Sequence, residues 1–184
     1  MTRTLVLTAC VALATSGCGY NRIQTLDEQV NGYRSQIEVQ LQRRADLVPN
    51  LVNTVKGFAE QELAIFEEVS NARARLSGAV EGGTLSEMAA ANQALTSSLG
   101  RLLAVVEDNP EIQSNENFRT LQDQLEGTEN RIATARMDYN NAVREYNAYI
   151  RRFPQVLTAK VISAGPRDYF EAEEGAAEVP TVEF

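Results

Sequence analysis

Charged side chains lie among the apolar residues of two predicted helices, where they would face a helical core. At 100° per residue, Glu62 and Arg73 lie within about 40° of the direction of their apolar neighbours. The fourth predicted helix, which ends at Pro154, carries a similar stripe that contains Glu129 and Arg136. Charges on such a face must be paired, so we predict a structural network rather than a catalytic or ligand site. We predict that Glu62 and Arg73 pair with Arg136 and Glu129 of the fourth predicted helix, and that Asn140 and Tyr139 complete the network.

The residue types present exclude several kinds of chemistry. The chain has no histidine, which removes His-based triads, His-based metal sites and the Glu-x-x-His di-iron signature. The acidic residues Glu107, Asp108 and Glu111 surround a turn, but Pro110 and Ile112 occupy positions where a calcium loop needs oxygen ligands. We therefore predict no cofactor, no metal and no catalytic residue, and a solvated cluster at this turn.

The two cysteines lie in an N-terminal targeting segment. Arg3 precedes an apolar stretch over residues 5–14, and small residues then lead to Cys18, which is the order of a secretory signal peptide. The stretch is shorter than the roughly 20 residues of a spanning helix. Cys10 has the better local match to a lipobox but leaves an apolar core of only three residues. We therefore predict residues 1–17 as a lipoprotein signal peptide and Cys18 as the lipid-attachment site; an ordinary signal peptide with Cys18 as a free thiol is the alternative.

The charge of the chain bears on its partners. The net charge is −8, and removal of residues 1–17 takes away a basic residue and no acidic one. An acidic protein is repelled by phosphate backbones, so nucleic-acid binding and simple adhesion to anionic headgroups are disfavoured. We expect the lipid to provide the membrane contact. The lipid predicts a location in the cell envelope. Gly19 follows Cys18 in place of the Asp that marks retention in the inner membrane, so we predict the outer membrane where the organism has one.

Apolar residues recur at intervals of three and four along most of the chain, which predicts four amphipathic helices. We expect a kink or break at Pro49, an end near Gly78, a new start at the Thr84–Glu87 capping box and a final end at Pro154. Short connections favour an all-α, antiparallel up-and-down four-helix bundle over residues 18–154, with long helices and a tail over 155–184 that packs partly on it. An intermolecular coiled coil is the alternative, and a homo-oligomer is left open.

Several segments resemble the LemA family. They are RRADLVPNLVNTVKGFAEQE from residue 43, LLAVVEDNPEIQSNENFRTLQDQLEGTENRIATARMDYNNAVREYN from residue 102, FPQVLTAKV from residue 153 and the terminal VPTVEF. The resemblance implies a membrane-associated helical bundle without established enzymatic activity. Typical members carry a membrane-spanning helix before a Tyr-Asn pair, whereas here Cys18 stands just before Tyr20 and Asn21.

Together these features predict a non-enzymatic, lipid-anchored scaffold or adaptor for membrane proteins of the bacterial envelope. The alternative is a small-ligand-binding or hydrolytic bundle that uses core polar residues. A deep pocket lined by Glu62, Arg73 and Arg136 would favour that alternative, whereas a filled core would favour the scaffold.

Overall fold

The described part of the chain consists of helices and the turns that join them. A computed structural model describes residues 2–58, 63–107 and 109–170, with side chains from residue 19 onward. The predicted residues Glu62 and Asp108 therefore lie outside the described residues, as does the end of the tail from residue 171. Six helices are described: α1 Thr2–Lys56, α2 Leu63–Gly82, α3 Leu85–Glu107, α4 Pro110–Gln113, α5 Glu116–Ile150 and α6 Gln155–Val161. The all-α class is confirmed, whereas the antiparallel four-helix arrangement stays a prediction.

Helix α1 corrects the predicted break at Pro49. The helix continues through Pro49 without interruption and ends at Lys56. Proline removes one helical hydrogen bond, but the flanking residues Val48 and Leu51 are buried and continue the apolar stripe of the helix. Burial of this stripe stabilises the helix on both sides of the proline, so that the break occurs only after residue 56.

Helices α2 and α3 form a hairpin with a two-residue connection. Helix α2 ends at Gly82, one turn later than predicted, and Gly83 lies so close to the helix that a Cβ atom would be 2.6 Å from the carbonyl oxygen of Ala79. Only glycine fits there without a shift of the backbone. The predicted capping box is confirmed, because Thr84 Oγ1 accepts a hydrogen bond from the Glu87 N–H at 3.2 Å and the Thr84 N–H donates to Glu87 Oε2 at 2.6 Å.

Helix α5 begins where the sequence predicts it. The side chain of Asn115 accepts a hydrogen bond from the Phe118 N–H at 3.1 Å and caps the start. The helix ends at Ile150, before Pro154, and the short helix α6 follows. Phe153 continues the apolar spacing of α5 in the sequence, but it follows the end of the helix and is 80% exposed instead of lying in the core.

The chain divides into two compact units. The terminal unit comprises Met1–Ile37 with Ala133–Tyr169, and the central unit comprises Glu38–Ile132 with Phe170–Phe184. The core of the terminal unit includes Ile23, Leu26, Val30, Ile37, Ala135, Tyr139, Val143, Tyr146, Ile150 and Ala159. The core of the central unit includes Leu41, Val48, Leu51, Val55, Phe66, Val69, Leu76, Met88, Leu95, Leu102, Val106 and Ile132.

A search of the described residues for a helix that is long and apolar enough to cross a membrane finds none.

Candidate functional site

Arg73 does not occupy the core position that the sequence predicts. Its side chain on α2 is 37% exposed, and its Nε–H donates a hydrogen bond to the carbonyl oxygen of Ala45 on α1 at 3.2 Å. Asp46 Oδ1 lies 4.0 Å from Arg73 Nη2. The actual partners of Arg73 therefore belong to α1, whereas we predicted partners on the fourth helix.

The contact between Arg73 and Ala45 has a specific cause in α1. In an α-helix the N–H of residue 49 would bond to the carbonyl oxygen of residue 45, but residue 49 is proline and has no N–H. Ala45 is fully buried, so its carbonyl group needs another donor. Arg73 supplies that donor, 28 residues later in the chain.

Glu129 pairs with a residue that our sequence analysis did not select. Its Oε2 lies 2.6 Å from Nη1 of Arg44, and the same Nη1 donates a hydrogen bond to Asn92 Oδ1 at 2.5 Å. We call Arg44, Asn92 and Glu129 the central charge cluster. The cluster lies within the central unit, and its contacts link α1 with α3 and with α5.

The environment of Arg44 is unusual for a charged side chain. Only 6% of the Arg44 side chain is exposed, whereas 42% of Glu129 is exposed. Burial lowers the pKa of Arg44, and the nearby carboxylate of Glu129 partly opposes that shift. Arg44 follows Leu41 by three residues and precedes Val48 by four, so its position on the apolar stripe was visible in the sequence.

The other predicted network residues lie in the terminal unit. Arg136 and Asn140 are partly buried on α5, and each has an interaction partner. Tyr139 is buried, and its hydroxyl donates a hydrogen bond to the Asp168 carbonyl oxygen at 2.8 Å. Burial raises the pKa of Tyr139, so its phenol stays protonated at neutral pH and keeps this donor.

A second polar cluster holds the segment 162–169 onto the helices of the terminal unit. Arg167 donates from Nε and Nη2 to the two carboxylate oxygens of Asp27, both at 2.9 Å. Its backbone N–H donates to Asn147 Oδ1, and its carbonyl oxygen accepts from Asn147 Nδ2, both at 2.8 Å. We call Asp27, Tyr139, Asn147 and Arg167 the C-terminal clamp.

A cleft of about 380 Å³ lies beside the C-terminal clamp. Asp27, Tyr146 and residues 162–167 line it together with Ile23 and Gln24. The hydrogen bonds from Arg167 occupy the carboxylate of Asp27, and the same contact raises the pKa of Arg167. The arrangement is therefore suited to holding the C-terminal segment in place, since its charged groups already satisfy one another.

The acidic residues on either side of Pro110 lie at the junction of α3 and α4. Glu107 ends α3 and Glu111 lies in α4, and both side chains are exposed. Gln113 Nε2 donates to the carbonyl oxygen of Glu107 at 3.0 Å and so caps the end of α3. Among the described residues, no group of three or more acidic residues or cysteines is placed to hold a metal ion.

A family model, the LemA family, matches residues 33–184. The chain belongs to the LemA family. Similar proteins include magnetosome protein MamQ 2 of Paramagnetospirillum magneticum, which is 31% identical over 200 aligned residues covering 96% of this chain and 73% of the relative. Magnetosome protein MamQ of Magnetospirillum gryphiswaldense is 28% identical with the same coverage of both chains.

The LemA match contains the whole central charge cluster and most of the C-terminal clamp. It begins at Tyr33, so that Asp27 and Cys18 precede it. The resemblance that the sequence motifs indicate is thereby confirmed, while the lipid-attachment prediction for Cys18 lies outside the matched region. What this LemA-family chain does at its N-terminus must be argued from its own residues.

Proposed function

We propose that this chain is a lipid-anchored scaffold or adaptor of the bacterial cell envelope, held at a membrane by a lipid on Cys18 and performing no catalysis. Membership of the LemA family and similarity to magnetosome proteins support a membrane-associated helical protein. To this the proposal adds a lipid anchor, a scaffold role, an up-and-down arrangement of the helices and an outer-membrane location.

The placement of Gly19 carries this proposal. Gly19 directly follows Cys18, is buried and lies against α6, where a Cβ atom would be 3.5 Å from Oγ1 of Thr158. Gly19 therefore packs against the terminal unit one residue after the proposed lipid-attachment site. A lipid at this position leaves almost no linker, so it would hold the terminal unit directly at the bilayer surface.

The role of the polar residues also supports a scaffold. Arg44 is bonded to groups on two other helices, and Arg73 donates to the carbonyl group left free by Pro49. These side chains are engaged in holding helices together. Glu62 of the alternative ligand pocket lies outside the described residues, and the contact of Arg73 with Ala45 favours the scaffold.

Substitution of the proposed anchor tests this function. We expect Cys18→Ser to move the protein from the membrane fraction to the soluble fraction of lysed cells, because the thiol that would carry the lipid is lost. Cys10→Ser is the matched control, since it changes the other cysteine of the same segment, and this variant should stay in the membrane fraction. Equal membrane retention of the two variants contradicts the lipid anchor.

A further inference from the structure

Helix α6 and the turn before it expose apolar side chains. Phe153 is 80% exposed, Leu157 is 56% exposed and Val161 is 85% exposed. At 100° per residue, Leu157, Lys160 and Val161 occupy an arc of about 100° on α6. We call Phe153, Leu157, Lys160 and Val161 the α6 face.

The opposite side of α6 packs on the terminal unit. Ala159 is buried there, and Gln155 and Thr158 are the residues nearest to Gly19. The helix is therefore attached by its small and polar side and presents its large apolar side chains outward. Since Gly19 follows Cys18, the α6 face belongs to the part of the molecule that the proposed lipid would hold at the membrane.

The charges around α6 differ from those of the whole chain. Residues 146–167 contain no Asp or Glu, although the chain has a net charge of −8. The basic residues of this stretch are Arg151, Arg152, Lys160 and Arg167, and Arg167 is neutralised by Asp27. The first three are exposed. The stretch therefore carries three exposed positive charges and no carboxylate side chain, which is complementary to anionic headgroups although the whole chain is acidic.

We propose that the α6 face inserts into the interfacial layer of an anionic bilayer as a second membrane contact beside Cys18. This inference rests on the proposed membrane function. Exposed Phe and Leu with flanking Arg and Lys are the composition of interfacial helices, and the Lys160 stem reaches the headgroups while its neighbours enter the acyl boundary. A second contact of this kind would fix the orientation of the terminal unit at the bilayer, which a flexible lipid alone does not do.

The size of the α6 face favours a bilayer over a protein partner. A seven-residue helix is only about 10 Å long. A stable protein interface buries about 1,200–2,000 Å² in total, far more than such a short element presents. A bilayer needs no matching surface and accepts a few side chains together with their flanking cations.

A tryptophan reporter tests the contact, because the chain contains no tryptophan. The lipidated full-length chain carrying Phe153→Trp is reconstituted in vesicles of phosphatidylglycerol and phosphatidylcholine, with and without brominated acyl chains. We expect a blue-shifted emission that brominated lipid quenches. Met137→Trp is the matched control, since Met137 is 61% exposed on α5 of the same unit, and its emission should be neither shifted nor quenched.

This experiment distinguishes failure of the proposed α6 contact from failure of the proposed lipid anchor. Protein that remains with the vesicles but shows an unquenched tryptophan at position 153 overturns the α6 contact and leaves the anchor intact. A blue shift that grows with protein concentration in the absence of vesicles also overturns it, because it indicates contact with a second copy. Failure of the chain to stay with the vesicles contradicts the anchor.

A binding measurement tests the α6 face without the lipid. In the Cys18→Ser chain that begins at residue 18, which is the proposed mature form without its lipid, we expect Lys160→Glu to weaken sedimentation with the same vesicles by at least about fivefold. Leu157→Asp should weaken it by roughly tenfold or more, because an apolar contact is replaced by a charge. Met137→Asp is the control and should bind like its parent. Equal binding of all the variants overturns the inference.

Discussion

At the scale of single residues, the most consequential side chain is Arg44. It brings a positive charge into the central unit, where only 6% of the side chain is exposed, and it has Asn92 and Glu129 as partners. Its carboxylate partner is far more exposed. The two members of the pair are therefore not equivalent, because Glu129 retains contact with water when the pair is broken and Arg44 does not.

This asymmetry predicts the order of two substitutions. Glu129→Gln leaves the buried guanidinium without its counter-charge and should lower the free energy of unfolding by about 3 kcal/mol. Arg44→Met removes the buried charge but retains most of the side-chain volume, so it should cost less than Glu129→Gln. Urea denaturation of both variants measures the difference.

The control for this pair is an exposed ion pair in the same unit. Glu68 and Arg101 pair on α2 and α3, with side chains 41% and 57% exposed. Glu68→Gln should change the free energy of unfolding by about 1 kcal/mol or less. A loss for Glu129→Gln no larger than that for Glu68→Gln would show that burial of Arg44 has no energetic consequence.

Glu87 predicts a dependence of stability on pH. The hydrogen bond from the Thr84 N–H, followed by the bond from the Thr84 hydroxyl, lowers the pKa of Glu87 below its usual 4.5 in the folded protein. A lowered folded-state pKa contributes stability above pH 4.5, and this contribution is lost as the pH falls through the folded value. The stability difference between the wild type and Glu87→Gln should therefore shrink between about pH 6 and about pH 3.

Urea denaturation across that pH range checks the cap. Glu81→Gln on α2 is the matched control, because it removes one exposed acidic charge outside the capping box. A stability difference for Glu87→Gln that is independent of pH, or that follows the control, would contradict a role for the ionised carboxylate.

At the scale of the elements, α1 depends on a residue of α2. The carbonyl group of Ala45, which Pro49 leaves without its helical donor, accepts its hydrogen bond from Arg73. The partly exposed guanidinium of Arg73 therefore supplies the hydrogen-bond donor that Pro49 removes from α1. This contact takes the place of the predicted pairing of Arg73 with the fourth predicted helix.

A double-mutant cycle tests whether Arg73 compensates for Pro49. Arg73→Met should cost about 1–2 kcal/mol in the wild type, because the buried carbonyl of Ala45 loses its donor. In the Pro49→Ala background the helix itself supplies the N–H, so the same substitution should cost less. We expect a coupling of about 1 kcal/mol from denaturation of the four proteins. Costs that add without coupling would mean that Arg73 does not compensate for the proline.

At the scale of the whole molecule, charge is distributed unevenly. The chain is acidic overall, but its carboxylate-free stretch over residues 146–167 adjoins the residue that follows Cys18. A lipid and a basic, apolar helix face would then act at one membrane surface. The acidic remainder of the surface would be left available to other envelope proteins.

The proposed anchor predicts the covalent form of the mature protein. Intact mass measurement of material from the membrane fraction should show a chain that begins at Cys18 and carries additional lipid mass. Cys18→Ser should lack this additional lipid mass. Wild-type material that retains those residues would contradict the proposal.

Local signals account for what the sequence determined by itself. The apolar periodicity predicts the helices, Thr84 and Glu87 mark the start of α3, and Pro154 lies beyond the end of α5. Each of these signals acts between residues at most four positions apart, so no long-range contact is needed to interpret it. The LemA motifs likewise identify the family from the order of residues alone.

Tertiary structure decided the features that depend on residues far apart in the chain. The continuation of α1 through Pro49 involves Arg73, and the ion pair of Glu129 involves Arg44. Periodicity shows which face of a helix is apolar, but not which residue of another helix lies opposite it. The rotation and offset of packed helices determine that choice, and they follow from the packing of the whole core.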